Sequence, residues 1–280
     1  MGKMITEVSH TRVLRSILIT GASGGIGMAL AAHYATSGCT LILWGRNPER
    51  LAEIATRCRA CGAHVVTREL DLQNGQEALA AYADDDKAYT PDTVILGAGI
   101  ADIQGTENLT EDPHKVFQLA LVNYATPISL ATAAAQAMVN RKGGRIALIG
   151  SVAGFYELPF AASYSSSKAG LAFFAKAARL AWQRYGVSVT LIAPGFVDTA
   201  MSQRLECPRP FLLSPRYAAK IIAHAIAQRQ AECVFPWPFK VLNVLVCLLP
   251  KAVREYILLH LAVGQKEWKN EPHKEQDKSL

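Results

Sequence analysis

Residues 13–44 constrain this chain more than any other stretch. Residues 13–20 (VLRSILIT) read as a strand whose apolar end suits a buried parallel sheet. Gly21-Ala22-Ser23-Gly24-Gly25-Ile26-Gly27 follows without a spacer, then residues 28–37 run in helical period until Gly38 stops them. Residues 40–44 form the next strand, closing a βαβ unit. Glycines at 21, 25 and 27 let the backbone come close to a ligand, and the helix N-terminus behind them offers free N–H groups to a phosphate. The spacing G-x-x-x-G-x-G is not the common dinucleotide fingerprint, and it lacks the Lys-Ser/Thr of a P-loop. The βαβ context favours a dinucleotide phosphate; a tight turn without a ligand is the alternative.

The end of the second strand bears on which dinucleotide. An acid there would hold a ribose 2′-hydroxyl, whereas an Arg accommodates a 2′-phosphate. The chain reads Leu43-Trp44-Gly45-Arg46-Asn47, with no acid, which points to NADP(H) in preference to NAD(H). A solvated loop arginine is the other reading of Arg46.

Strands and helices keep alternating. Further strands are predicted at 63–70, 93–96, 145–149, 187–193 and 232–235, giving seven in all. Helices are expected over 48–60, 74–83, 112–140 with an interruption near Pro127, 163–185, and from Ser214-Pro215 to about 230. Asp84-Asp85-Asp86 reads as a polar loop, and 196–213 as a loop with apolar side chains. Such alternation predicts a mostly parallel sheet with helices on both faces. Ligands bind such sheets at the strand C-terminal ends, and Gly21, Arg46, Asp71, Gly97, Ser151 and Pro194 all fall on that one rim.

Tyr164-Ser165-Ser166-Ser167-Lys168 carries the chemistry. A Tyr and a Lys four apart share a helix face. A free phenol titrates near pH ~10, and an adjacent ammonium would favour the phenolate and lower that value. The pair therefore suits proton transfer to or from an alcohol or carbonyl oxygen. An exposed helical pair without a role is the bland reading of the same spacing.

The bulk numbers exclude more than they assert. Net charge is +6 over 280 residues, compatible with an anionic cofactor or an acidic membrane surface. No Lys/Arg cluster is interleaved with aromatics, which argues against nucleic acid. Cys58 and Cys61 are the one C-x-x-C among six cysteines, without a second pair or a nearby His, so no metal site is expected. The first fifteen residues have no apolar secretory core, although Met1-Gly2-Lys3-Met4-Ile5-Thr6 matches a myristoylation pattern. With no run of about 18 apolar residues, no segment is expected to span a bilayer, and the expected location is cytoplasmic.

Taken together, Thr20-Gly21-x-x-x-Gly25-x-Gly27, Asp71, Ala98-Gly99, Asn123, Ser151, Tyr164-x-x-x-Lys168 and Pro194-Gly195 with Thr199 resemble the short-chain dehydrogenase/reductase superfamily across residues 13–200. The resemblance implies a Rossmann-type doubly wound α/β fold and an oxidoreductase. Tyr164 would be the acid/base. Lys168 would lower its pKa and bind the nicotinamide ribose. Ser151 would bond the substrate oxygen, and Asn123 would hold a water of the proton relay; the bland readings are a turn residue for Ser151 and a helix-bending core polar group for Asn123. Further cofactor contacts are implied at Ser23, Ile26, Asp71, Leu72, Ala98, Gly99, Pro194, Gly195, Val197 and Thr199, beside the glycines and Arg46. One departure stands out: the family's Asn-Asn-Ala-Gly is Leu96-Gly97-Ala98-Gly99 here.

Residues 1–235 are thus expected to form one dinucleotide-binding catalytic domain, 236–264 an apolar helical extension, and 265–280 a disordered charged tail. The apolar lid and extension suggest a lipophilic ketone or secondary alcohol, and a segment at 235–263 that meets a membrane surface or a second subunit. Family resemblance also implies a homodimer or tetramer through the two helices holding Asn123 and Tyr164, whose Ala131, Ala133, Ala134, Ala135, Ala137, Ala172, Ala175, Ala177 and Ala178 read as small residues on outer faces. Two other classes compete: a regulatory protein that binds a dinucleotide without turnover, and an epimerase or dehydratase. The complete Asn-Ser-Tyr-Lys set argues against the first. The glycine spacing and the lack of a longer substrate domain argue against the second.

Overall fold

A computed structural model describes residues 15–102, 110–259 and 264–265. The tail from 266 and the N-terminal hexapeptide lie outside the described residues. Seven strands form one sheet in the order β3-β2-β1-β4-β5-β6-β8, every neighbouring pair parallel. They are β1 (Arg15–Thr20), β2 (Cys39–Gly45), β3 (His64–Glu69), β4 (Thr93–Leu96), β5 (Gly144–Ile149), β6 (Val187–Pro194) and β8 (Glu232–Phe235), while β7 (Leu205–Glu206) lies outside the sheet. The order reverses beside β1, the switch point at which such sheets bind ligands.

Period-two alternation decides which side chains face which helices. Ile17 and Ile19 of β1 join one core with α1 (Gly25–Tyr34), α2 (Pro48–Ala60) and α8 (Pro215–Ala227). Leu18, between them, joins the opposite core with α3 (Gly75–Tyr89), α5 (Thr126–Asn140) and α6 (Ala162–Trp182). The sheet is therefore covered on both faces; its central strands are mostly apolar and buried, as a parallel sheet requires, while the edge strand β3 alternates and carries His64, Arg68 and Glu69.

Four expectations need correcting. Asp84-Asp85-Asp86 is not a loop but lies inside α3, because Asp85 is wholly buried and accepts bonds from Trp44 Nε1 at 2.8 Å and from Arg68 Nε and Nη2 at 2.9 and 2.7 Å. Those partners on β2 and β3 hold the carboxylate inward. Second, the helical stretch is interrupted at Leu121–Ala125 by one π-helical segment between α4 (Pro113–Ala120) and α5, and Pro127 simply occupies the first turn of α5. Third, 196–213 contains a short helix α7 (Ala200–Gln203), capped by Thr199, and the strand β7. Fourth, Ala131, Ala134, Ala135, Ala172, Ala175 and Ala178 face the sheet in the second core rather than solvent. The outward faces instead carry Phe173, Leu180 and, on α4, Phe117.

Residues 113–140 are long and apolar enough by composition to cross a membrane. Leu130, Ala134 and Met138 spend that apolarity on the core. Beyond β8, α9 (Trp237–Leu248) and α10 (Lys251–Leu259) follow, and Gln265, expected in the disordered tail, pairs antiparallel with Leu205 as part of β9 (Gly264–Gln265).

Candidate active site

The rim is built outward from the β1 turn. Gly21 has φ +72, and a Cβ there would lie 2.8 Å from the Ala98 backbone, so only glycine lets the two turns touch. Thr20, buried at the end of β1, locks the same contact: its hydroxyl accepts from Gly97 N at 3.1 Å and Ala98 N at 3.2 Å. Through these two bonds a side chain from β1 holds the β4 turn. α1 starts at Gly25 behind a glycine N-cap without a side-chain bond, which leaves its first-turn N–H groups for an anion. A Cβ on Gly25 would lie 2.6 Å from Thr199 Cγ2, so the residue at the start of α7 sits over the glycine turn. This cradle, its backbone donors and its lack of side chains fit a dinucleotide pyrophosphate.

Arg46 is exposed immediately after β2. The Ser23 hydroxyl reaches the same corner, where a Cβ on Gly45 would come within 2.6 Å of it. Asp71 is exposed after β3 and accepts from Gln73 N and Nε2, while Leu72 is buried and its carbonyl accepts from Thr126 Oγ1 at 2.7 Å. Ile26 is half-buried in α1 beside the buried Gly27. Pro194 ends β6, the Gly195 amide is held by the Phe235 carbonyl at 2.7 Å, and Val197 is buried under the bridge to Leu213. The loops of β1, β4 and β6 are thus brought together, and Arg46 and Asp71 occupy the two neighbouring corners.

The chemical groups converge beside Gly99. A Cβ on that residue would lie 3.2 Å from Asn123 Oδ1 and 3.4 Å from Lys168 Nζ. Asn123 sits in the π segment, where an extra residue per turn bulges the backbone toward the site. Its Oδ1 accepts from Ile100 N at 2.9 Å, and its Nδ2 donates to Ile100 O at 2.8 Å and Ser167 Oγ at 3.3 Å. Buried Lys168 donates to the Ile149 carbonyl at 3.1 Å. Ser151 follows β5, caps a 3-10 turn through Ala153 N and hydrogen-bonds Tyr164.

The electrostatics depart from the Tyr–Lys expectation. Burial pushes the Tyr164 phenol up, and the group that pulls it down is the Ser151 hydroxyl. Lys168 Nζ lies 5.8 Å from the Tyr164 ring centroid, and burial lowers its own pKa to about 8. A phenol kept protonated can in chemical terms donate to a developing alkoxide. Sequence reasoning missed Asp85, and it missed Glu111, whose carboxylate holds Ser163 next to Tyr164. Neither sits in a recognisable pattern with its partners.

A family model described as short chain dehydrogenase matches residues 15–209. An uncharacterized oxidoreductase of Myxococcus xanthus (strain DK1622) is 33% identical over 238 residues, covering 84% of this chain and 93% of that one. Human estradiol 17-beta-dehydrogenase 11 is 31% identical over 242 residues, covering 84% and 79%. Among solved structures, a short-chain dehydrogenase from Sphingobium yanoikuyae in complex with NADPH superposes with a TM-score of 0.74 at 24% identity, covering 89% of this chain and 97% of that one. The chain therefore belongs to the short-chain dehydrogenase family, as an NAD(P)-dependent oxidoreductase acting on CH–OH groups.

Proposed function

We propose that this enzyme interconverts a lipophilic ketone and its secondary alcohol with NADP(H), using Asn123, Ser151, Tyr164 and Lys168. The observation that carries the reading is the convergence of Asn123 Oδ1 and Lys168 Nζ beside Gly99, next to a Tyr164 whose phenol burial pushes up and the Ser151 hydroxyl pulls down. The bound dinucleotide supplies or accepts the hydride. Tyr164 gives its proton to the carbonyl oxygen during reduction, and Ser151 orients that oxygen. Lys168 holds the nicotinamide ribose from its place beside Gly99. Asn123 fixes Ile100 on both backbone atoms and so shapes the wall where a relay water would sit. Arg46, exposed at an acid-free corner after β2, selects the 2′-phosphate. Purified protein and NADPH with a panel of ketones, from small to steroid-sized, tests this through absorbance loss. Turnover with NADH alone, or with no ketone, would remove it.

The substrate class rests on the lid. Phe239 of α9 is 8% exposed and packs edge-on against Phe196 and Phe211, with centroids 6.3 and 6.0 Å away. Arg254 of α10 reaches Glu157 in the segment between Ser151 and Tyr164 at 3.1 Å, and β9 pairs with β7 beside α7. We read the extension as a roof tied to both sides of the site. Trp237, Val241, Leu245 and Leu248 recur every three or four residues along α9 and are all exposed. Lys240, Lys251 and Arg254 outnumber the one acid, Glu255, over residues 236–259, with Lys251 paired to Glu255 at 3.5 Å and Arg254 to Glu157. An apolar stripe flanked by cations suits an anionic lipid surface, which would feed lipophilic substrate to the roof. Pairing of two copies belongs to the outward faces of α4 and α6, at the exposed Phe117, Phe173 and Leu180, and a strictly monomeric mass by light scattering would remove it.

A further inference from the structure

The active-site helix begins without a cap of its own. Its N-cap residue is Ala161, which makes no side-chain bond to the first turn. The first N–H groups of a helix need acceptors from outside its own ladder. Tyr164 is the third residue of α6, so the proposed proton donor stands in the turn that intrahelical bonds hold least.

Glu111 supplies what is missing from 52 residues away. Ser163 N donates to its two carboxylate oxygens at 3.2 and 3.0 Å, and Ser163 Oγ donates to Oε1 at 2.6 Å. A carboxylate at a helix N-terminus also complements the macrodipole. The neighbouring Asp112 does the ordinary job, accepting from His114 N at 2.9 Å as the N-cap of α4. Two adjacent acids thus cap two different helices. The same helical run continues into the π segment that carries Asn123, so Glu111 ties together the elements that present the amide and the phenol.

We infer that Glu111 is a positioning residue, a cap delivered in trans along the chain that fixes the first turn of α6 and with it the Tyr164 hydroxyl. This rests on the reading of Tyr164 as the proton donor. A misplacement of about 1 Å can cost on the order of 10²-fold in rate, so loss of the cap is expected to show in kcat before it shows in cofactor binding.

Full-length Glu111→Ala and Glu111→Gln, with Tyr164→Phe as reference, test it by two readouts. Hydrogen exchange over residues 161–168 needs no substrate: Glu111→Ala should exchange faster there and nowhere in the sheet, and Glu111→Gln, which keeps an acceptor, should stay near wild type. With acetophenone and NADPH, kcat per NADPH-binding site should fall about tenfold in Glu111→Ala and recover to within about threefold in Glu111→Gln, while NADPH affinity changes less than twofold. Unchanged exchange in Glu111→Ala, or equal losses of kcat and NADPH affinity in both variants, would overturn the proposal. Normal turnover by Tyr164→Phe would instead overturn the proton-donor reading, and the exchange result would still stand for the cap.

Discussion

At the rim of the sheet, Asn123, Ser165, Ser167 and Lys168 are polar side chains no more than 8% exposed, whereas in α9 and α10 the apolar Trp237, Leu248 and Leu259 are more than 70% exposed. Each region inverts the ordinary rule in its own direction. The rim's inversion is compensated from inside: Asn123 bonds both backbone atoms of Ile100, and Lys168 finds the Ile149 carbonyl. Nothing among the described residues compensates the stripe on α9. Buried polar groups with satisfied partners are kept in place by the fold, and a contiguous apolar surface calls for something beyond it. The difference teaches where to look in each case: to internal geometry at the rim, and to the external contact proposed for the extension.

The strongest way to break this contrast is at the phenol. Tyr164→Phe should lose turnover by ~10²–10⁴-fold with the fold and NADPH binding retained. Near-normal rates in a homogeneous preparation would show that the rim's polar burial serves structure alone.

Next comes the buried carboxylate that braces β2 and β3 behind the cofactor corner. Asp85→Ala strands Trp44 Nε1 and the Arg68 guanidinium. A loss of roughly 3 kcal/mol in urea unfolding is expected, tempered because Arg68 is partly exposed and can rehydrate. A change under about 1 kcal/mol would mean that the cluster is tolerated rather than structural.

A smaller effect is expected at Arg46. Its replacement by Ala should weaken NADPH by about 10- to 100-fold, the range of a charged hydrogen bond, and leave NADH nearly unchanged. Titration of both cofactors checks this, and equal losses would make the arginine a bystander.

The smallest stability effect belongs to the extension, and there the contrast is sharpest. Leu245→Ser with Leu248→Ser should shift unfolding by no more than about 0.5 kcal/mol, since both side chains already stand in solvent. The same protein should lose co-sedimentation with vesicles containing phosphatidylserine. Vesicle binding that survives, or a large destabilisation, would mean that the stripe covers protein and not lipid.

Much of this architecture was legible beforehand, for reasons that differ by element. The glycine turn, the alternation of β1 through β6 and the four-residue spacing of Tyr164 and Lys168 are patterns written in contacts between near neighbours. Backbone sterics and a period of two or 3.6 dictate them wherever they occur. The resemblance to a known family rests on the same local signatures.

Other features depended on which distant groups the topology brought face to face. Asp85 reads as loop until Trp44, 41 residues away, offers an indole N–H. The alanines of α5 and α6 could line either face of a helix until the sheet takes one. Lys168 was expected to govern the phenol, but packing gave its ammonium to Ile149 and left Ser151 to bond Tyr164. Ala161 leaves α6 uncapped in sequence, and only the return of the chain at Glu111 closes that end. Periodicity therefore determined the sheet and its helices, and the family resemblance pointed to the residues proposed as reactive. The partners that orient those residues were settled by tertiary structure, because a hydrogen bond across dozens of residues has no period to read and forms only where the folded core holds both ends still.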